Sequence, residues 1–247
     1  MNWEQVIQKV TPYIFKIATP AGDGTGFLFV YNDAKTWCGV ATALHVVEYA
    51  GKWKQPIRLT HHSSSENLFL NEPEYIIISD WKTDSAVILF QKPAFELPSE
   101  LIELIPLDKP LSIGNEVSWL GFPAIEPYTL CFFSGNISAW QDFRKAYLID
   151  GVAINGVSGG PVTYLYSPDA VRIVGIVSAY RASRVTGDTL PGLLYAQDVS
   201  HFHGVIQQIR SIDDANKKKQ EIEQQQQAEK VLAQQSLQAD TEKLRIP

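Results

Sequence analysis

Short apolar runs separated by turn-forming residues dominate most of the chain. Tyr13–Ala18, Gly26–Tyr31, Trp37–Ala41, Ile57–Thr60, Tyr75–Ile78, Ala86–Phe90, Val117–Gly121, Gly135–Ala139, Ala146–Ile149, Pro161–Tyr166 and Ile173–Ser178 are rich in Val, Ile, Phe, Tyr and Trp. Clusters of Gly, Pro, Asn and Asp lie between them. β-Branched and aromatic side chains suit a pleated, half-buried surface, and the clusters between them break it. Few intervening stretches have the length or period of a helix. Many short strands with regular turn signals predict an all-β sandwich or barrel.

The two ends of the chain read differently. Val6, Ile7 and Val10 fall at helical spacing, which predicts one or two helical turns within residues 1–11, limited by Pro12. Residues 92–114 carry Pro93, Pro98, Pro106 and Pro110 and read as an ordered connection between two β halves, 12–92 and 112–205, of one domain over 12–210. After Ser211 the chain turns to Lys, Gln, Glu and Ala, with Gln224–Gln227 in its middle. Residues 211–247 are therefore expected to be a helical or partly disordered tail. Its apolar residues keep no clean heptad, so a solvated tail is the first reading, and a protein partner or self-association through it the alternative.

Composition narrows the function. The 247 residues are 45% hydrophobic and 19% charged, with a net charge of −6. That is a globular composition with no broad basic field, so no nucleic-acid partner is expected. No apolar run is long enough for a membrane helix, so no membrane association is expected either. Two cysteines, Cys38 and Cys131, lie far apart without metal-ligand spacing and read as free thiols. With no signal-like N-terminus, they point to a cytoplasmic location.

The most informative string is Gly156-Val157-Ser158-Gly159-Gly160-Pro161-Val162. A hydroxyl is a weak nucleophile that needs a base and a shaped turn, and flanking glycines permit both a tight backbone and close approach of a substrate carbonyl. Such a turn can aim the Gly156 and Ser158 amides at one point, as an oxyanion hole. A nucleophile elbow of the α/β-hydrolase type would use Asp188 or Asp198 with His201 or His203. However, Gly159, Gly160 and Pro161 start a helix poorly, and the following residues look like a strand.

A base and an orienting acid are also present. His45 follows an apolar run from Gly39, and its imidazole can take and return a proton near neutral pH. Asp84 stands just before the apolar run Ala86–Phe90, where it can hold an imidazole in one tautomer. Asp80 competes with it but reads as a turn residue. His61 and His62 sit in a polar His-His-Ser-Ser-Ser stretch that reads as a loop, while His201 and His203 read as surface or packing residues. None of these sets completes a metal site.

Together these motifs resemble trypsin-like serine peptidases, in the HtrA/DegP-like bacterial branch without PDZ domains. Gly24-Thr25-Gly26-Phe27 resembles the opening strand of that branch, Ala41–Val47 its histidine motif and Asp84–Leu89 its aspartate motif. Gly114–Pro123, Gly135–Ser138 and the approach Asp150, Ile154, Asn155 to the serine resemble parts of its second half. The resemblance covers about residues 13–210. It implies two six-stranded antiparallel β-barrels with a C-terminal α-helical tail, catalysis by His45, Asp84 and Ser158 on a polypeptide substrate, and no cofactor or metal. Val174–Ser178 resembles the substrate-binding strand, which marks Val177, Ser178 and Ala179. Two departures stand out. Val157 replaces an acidic or amide residue, which argues against activation by an inserted N-terminal amine. Val152 replaces the polar floor of basic-specific members, implying preference for a small or medium apolar residue before the cut bond. A catalytically silent fold that binds a partner is the alternative.

Overall fold

The computed structural model describes the backbone of residues 1–107, 109–152, 154–182 and 189–243, with side chains outside 179–182, 189–191 and 229–243. They form two compact units, residues 1–206 and 207–247. The first unit opens with helix α1 (Trp3–Val10). Asn2 caps it by accepting Gln5 N, the Gln5 side chain accepts Asn2 N in return, and Val6 and Val10 are buried beneath.

Thirteen strands follow: β1 (Ile14–Thr19), β2 (Gly22–Tyr31), β3 (Trp37–Ala43), β4 (Ile57–His61), β5 (Asn67–Leu70), β6 (Tyr75–Asp80), β7 (Ser85–Gln91), β8 (Glu116–Gly121), β9 (Cys131–Gln141), β10 (Ala146–Asp150), β11 (Pro161–Ser167), β12 (Ala170–Ala182) and β13 (Thr189–Asp198). The first seven make one antiparallel sheet in the order β5-β4-β1-β2-β3-β7-β6. The last six close a barrel in the order β10-β13-β12-β11-β8-β9. The expected division into two β halves holds, and the second half has the six strands expected of it. The first has seven, with β5 and β6 as the edges of its sheet. β5 carries only one buried side chain, Leu70, which leaves little periodicity to read.

Two helices lie outside the strand pattern. Helix α2 (Leu44–Trp53) follows β3 directly and buries Leu44, Val46, Val47 and Ala50. No helix is expected there from the apolar run, whose first half belongs to a strand. Helix α3 (Ser200–Lys243) follows β13. Its first turn belongs to the first unit, where Phe202 is fully buried and meets Phe27 edge-on at 6.4 Å and Phe29 at 5.3 Å. Burying one such ring is worth about 1.5–3 kcal/mol. In the second unit Ile212 and Ile222 are exposed. Among the described residues no helix is long and apolar enough to cross a membrane. Cys38 is buried and Cys131 half-buried, both as free thiols, and burial pushes the Cys38 thiol up to about 12.

His61, His201 and His203 are structural. His61 ends β4 rather than lying in a loop. It is 3% exposed, bonds Ser64 Oγ and Pro12 O at 2.8 Å each, and sits between Phe15 and Phe95. A buried imidazole whose two nitrogens both have partners is not a surface residue, whatever the polarity of its sequence neighbours. His203 meets Ile105 O at 2.8 Å and His201 meets Ile78 O at 3.2 Å, as expected of packing residues.

Burial lowers the pKa of His201 below its ordinary 6.5. The unfolded chain then binds more protons than the folded one between that lowered value and 6.5, so stability rises with pH across the window and is lost on acidification. Thermal melts from pH 7.5 to 5.5 are expected to show a falling Tm, with a shallower fall in His201→Gln, which can still donate to Ile78 O. Comparing the two proteins cancels Asp198, whose carboxyl is raised by burial and acts in the opposite sense. Parallel slopes would remove His201 as the source.

Candidate active site

Asp84 is the hub of the site. It occupies the left-handed region at φ 46°, a conformation that costs most residues free energy and that Asp tolerates better than most. Asp80 prepares this bend. Its carboxylate accepts Lys82 N at 2.9 Å and Thr83 Oγ1 at 3.0 Å, the turn expected of it. Asp84 itself then faces helix α2. Ala43, at the N-cap of α2, has no side chain to cap it, leaving orphan amides. Asp84 supplies both acceptors: its backbone O takes Leu44 N at 2.9 Å and its Oδ1 takes His45 N at 3.0 Å. A carboxylate at a helix N-terminus also opposes the dipole favourably.

The same carboxylate orients the imidazole. Asp84 Oδ2 lies 2.8 Å from His45 Nδ1 and accepts Ser178 Oγ at 2.6 Å. That geometry places the proton on Nδ1 and leaves Nε2 as the basic nitrogen. Among the described residues Nε2 has no partner. The His45 side chain is 46% exposed and that of Asp84 28%, so the pair lies at the edge of solvent rather than in the core.

Ser178 ties this pair to Ser158. While its hydroxyl holds Asp84, its backbone oxygen accepts Ser158 Oγ at 3.5 Å. That bond is at the outer limit of useful length, so the hydroxyl is loosely held. It points to Ser178 rather than to His45: no hydrogen bond joins Ser158 to His45. Gly24 shows how closely the two sides approach. A Cβ there would lie 2.5 Å from Val46, the residue after His45, and 3.2 Å from Ser158 O.

The turn carrying Ser158 is built from both halves of the unit. Val157 N bonds Ile154 O at 3.1 Å, with Gly156 at φ +91° in the position where such a turn requires the left-handed region. Asn155 O is held by Ala124 N at 2.7 Å. In a trans peptide the N–H points opposite the C=O, so Gly156 N is directed away from that contact. Val157 O accepts Gly160 N at 2.9 Å, which sets Ser158 N in the same way. Among the described residues neither Gly156 N nor Ser158 N has an acceptor. Gly159, at φ +84°, passes so close to the first half that a Cβ would sit 2.2 Å from both Thr25 O and Thr42 Oγ1. Val157 is fully buried against Gly121.

The expected substrate residues divide. Val152 is 50% exposed and free to meet a ligand. Val177 is 2% exposed, and its backbone N and O bind Gly160 O at 2.9 Å and Gly159 N at 2.6 Å, so it supports the serine turn instead of lining a pocket. Ser178 is 3% exposed and committed to Asp84. Ala179 pairs with Tyr195 across β12 and β13, and its side chain lies outside the described residues. Of the hydrolase-elbow partners, Asp188 also lies outside them, and Asp198 is bound to Ser200 N at 3.0 Å and Ser200 Oγ at 2.7 Å. Ser158 is followed by β11, not by a helix, which disposes of the elbow.

No protein-family model matches this sequence, and no curated protein matches it. Solved structures do. A serine-to-alanine mutant of Rv3671c from M. tuberculosis, in an inactive form, is 20% identical with a TM-score of 0.57, over 83% of this chain and 89% of that one. The Rv3671c protease in an inactive form is 19% identical with the same TM-score, over 83% and 92%. Deg5 is 18% identical with a TM-score of 0.59, over 79% and 88%. The chain has the trypsin-like serine protease fold. Within that fold His45 and Asp84 come from the first half and Ser158 from the second, so the site lies where the two halves meet. Thr25, Ala124 and Ser178 also shape the site. Nothing in their local sequence marks them for these roles, because each acts through hydrogen bonds to a segment far away in the chain.

Proposed function

We propose that this chain is a serine endopeptidase. The observation that carries the proposal is the convergence on Asp84: one carboxylate accepts His45 N, His45 Nδ1 and Ser178 Oγ, and Ser178 in turn receives Ser158 Oγ. In the reaction His45 Nε2 takes the Ser158 proton as Oγ attacks the peptide carbonyl. The Gly156 and Ser158 amides hold the oxygen that becomes negative, and Asp84 holds the imidazolium. Collapse expels the amine with the proton from His45, and water releases the acyl group by the same steps in reverse order of roles. Catalytic hydrogen bonds often tighten only when substrate is bound, so Ser158 is expected to turn from Ser178 O to His45 in the complex. Exposed Val152 supports preference for a small or medium apolar residue before the cut bond. The two free thiols support a reducing, cytoplasmic setting.

A second reading, a silent or partner-gated fold, draws on the missing Ser158–His45 bond and on the long tail as a docking or self-association segment. A fluorophosphonate probe separates the two. Labelling that is lost in both Ser158→Ala and His45→Ala supports the peptidase. A blank with wild-type protein supports the binder, and truncation at residue 211 followed by sizing and relabelling then tests the tail as the gate.

A further inference from the structure

Each carbonyl from Ile154 to Ser158 has a donor, and two of those donors belong to one residue outside the turn. Ile154 O receives Val157 N, Asn155 O receives Ala124 N and Val157 O receives Gly160 N. The other two, Gly156 O and Ser158 O, receive Thr25 Oγ1 and Thr25 N, each at 2.8 Å. Thr25 lies on β2, in the opposite half of the unit, and is fully buried.

Its hydroxyl has a defined direction. Phe122 N donates to Thr25 Oγ1 at 3.0 Å, and an amide can only donate, so the hydroxyl's own proton is left for Gly156 O. Thr42 Oγ1 donates to Thr25 O at 2.8 Å and anchors the residue from behind. Thr25 is therefore saturated at N, O and Oγ1 and cannot turn without breaking buried hydrogen bonds.

We infer that Thr25 is the positioning residue of the oxyanion site, an inference that rests on the peptidase reading. Gly156 O belongs to the 156–157 peptide and Ser158 O to the 158–159 peptide. The 157–158 peptide between them carries the Ser158 N–H. Holding both flanking carbonyls against β2 fixes the plane between them, so the Ser158 amide converges with the Gly156 amide that Ala124 orients. Without the hydroxyl, Gly156 O has no donor in a buried place, and the turn gains by rotating that carbonyl toward the open space where the two amides point. A carbonyl there repels the developing oxyanion.

The test compares full-length Thr25→Val, which keeps the shape and the backbone amide but removes the hydroxyl, with Thr25→Ser, which keeps the hydroxyl. Thr25→Val is expected to lower kcat on a peptide substrate by about 10- to 100-fold, below the full loss of an oxyanion donor, with KM little changed. Its affinity for a peptide boronic acid, whose tetrahedral adduct uses the same amides, should fall by a similar factor. Thr25→Ser is expected to stay close to wild type in both. A general packing defect would not move kcat and boronate affinity together while leaving KM alone. If Thr25→Val fails to fold, Thr25→Ala, which leaves room for a water, carries the same comparison. Wild-type kcat and boronate affinity in Thr25→Val overturn the inference, as does a Thr25→Ser variant impaired as badly as Thr25→Val. If wild-type protein neither cleaves peptides nor reacts with the fluorophosphonate, the peptidase reading falls. The crystal structure of Thr25→Val then decides the positioning claim: a reoriented Gly156 carbonyl supports it, and an unchanged turn overturns it.

Discussion

Ser158→Ala is expected to lower turnover of a peptide substrate by about 10⁴–10⁶-fold, while the thermal melt moves by no more than about 2 °C. The two halves of this expectation come from the same hydrogen bond. Ser158 Oγ is held by one contact of 3.5 Å to Ser178 O, too long to contribute much stability. The turn around it is fixed by backbone groups that alanine retains: Thr25 N on Ser158 O, Gly159 N on Val177 O and Gly160 N on Val157 O. Removing the oxygen therefore deletes the nucleophile and leaves its frame. The residual rate, supplied by the amides and by substrate binding, should no longer respond to His45→Ala. Turnover within tenfold of wild type would dispose of Ser158 as nucleophile, whereas a large fall in Tm would mean that the loss reports unfolding.

Asp84→Asn is expected to lower kcat by about 10⁴-fold and to cost stability as well. An amide can occupy the same left-handed backbone, but it has an acceptor at only one of the two carboxylate oxygen places. It cannot accept all three that now converge on the carboxylate. The His45 backbone N–H can only donate, so the amide oxygen stays at the Oδ1 place that faces it, and the NH₂ takes the Oδ2 place opposite His45 Nδ1 and Ser178 Oγ. Opposite His45 Nδ1 that NH₂ forces the imidazole to protonate on Nε2, the nitrogen needed as base. Turnover falls because the tautomer is wrong, although every heavy atom remains in place. Stability falls because helix α2 loses a charged acceptor at its N-terminus, worth about 0.3–1 kcal/mol, together with a charge-assisted bond from Ser178. A melt lowered by a few degrees with kcat reduced as stated fits this account. A kcat within tenfold of wild type would sink Asp84 as the orienting acid. Asp80→Asn gives the contrast, since Asp80 binds Lys82 N and Thr83 Oγ1 and touches neither His45 nor Ser158.

The strand content was legible because β-branched and aromatic runs alternate with turn residues at short intervals, and eleven of the segments read this way coincide with strands of the structure. β5 was not, since a four-residue edge strand with one buried side chain carries no period. β13 was hidden by Pro191-Gly192 within it, a pair that reads as a turn. Helix α2 was hidden because Leu44–Val47 continues the apolar run of β3. The helix begins there because Asp84, forty positions along the chain, supplies the acceptors that Ala43 cannot. His61 misled by its neighbours: burial between Phe15 and Phe95 is a tertiary fact.

The chain alone determined the candidates for the site, because a serine in a glycine-rich turn, a histidine after an apolar run and an aspartate before one are local patterns that side-chain type and spacing express directly. It also determined that Val157 would bring no charge to the serine turn. Only the tertiary structure decided that Ser178 serves Asp84, that Val177 faces the core, that Val157 packs on Gly121 and that Thr25 holds the carbonyls of the Ser158 turn from the other half of the unit. Each of these is a hydrogen bond or a contact between segments far apart in sequence. Such partners are chosen by how the two halves pack, and no local pattern of polarity records that choice.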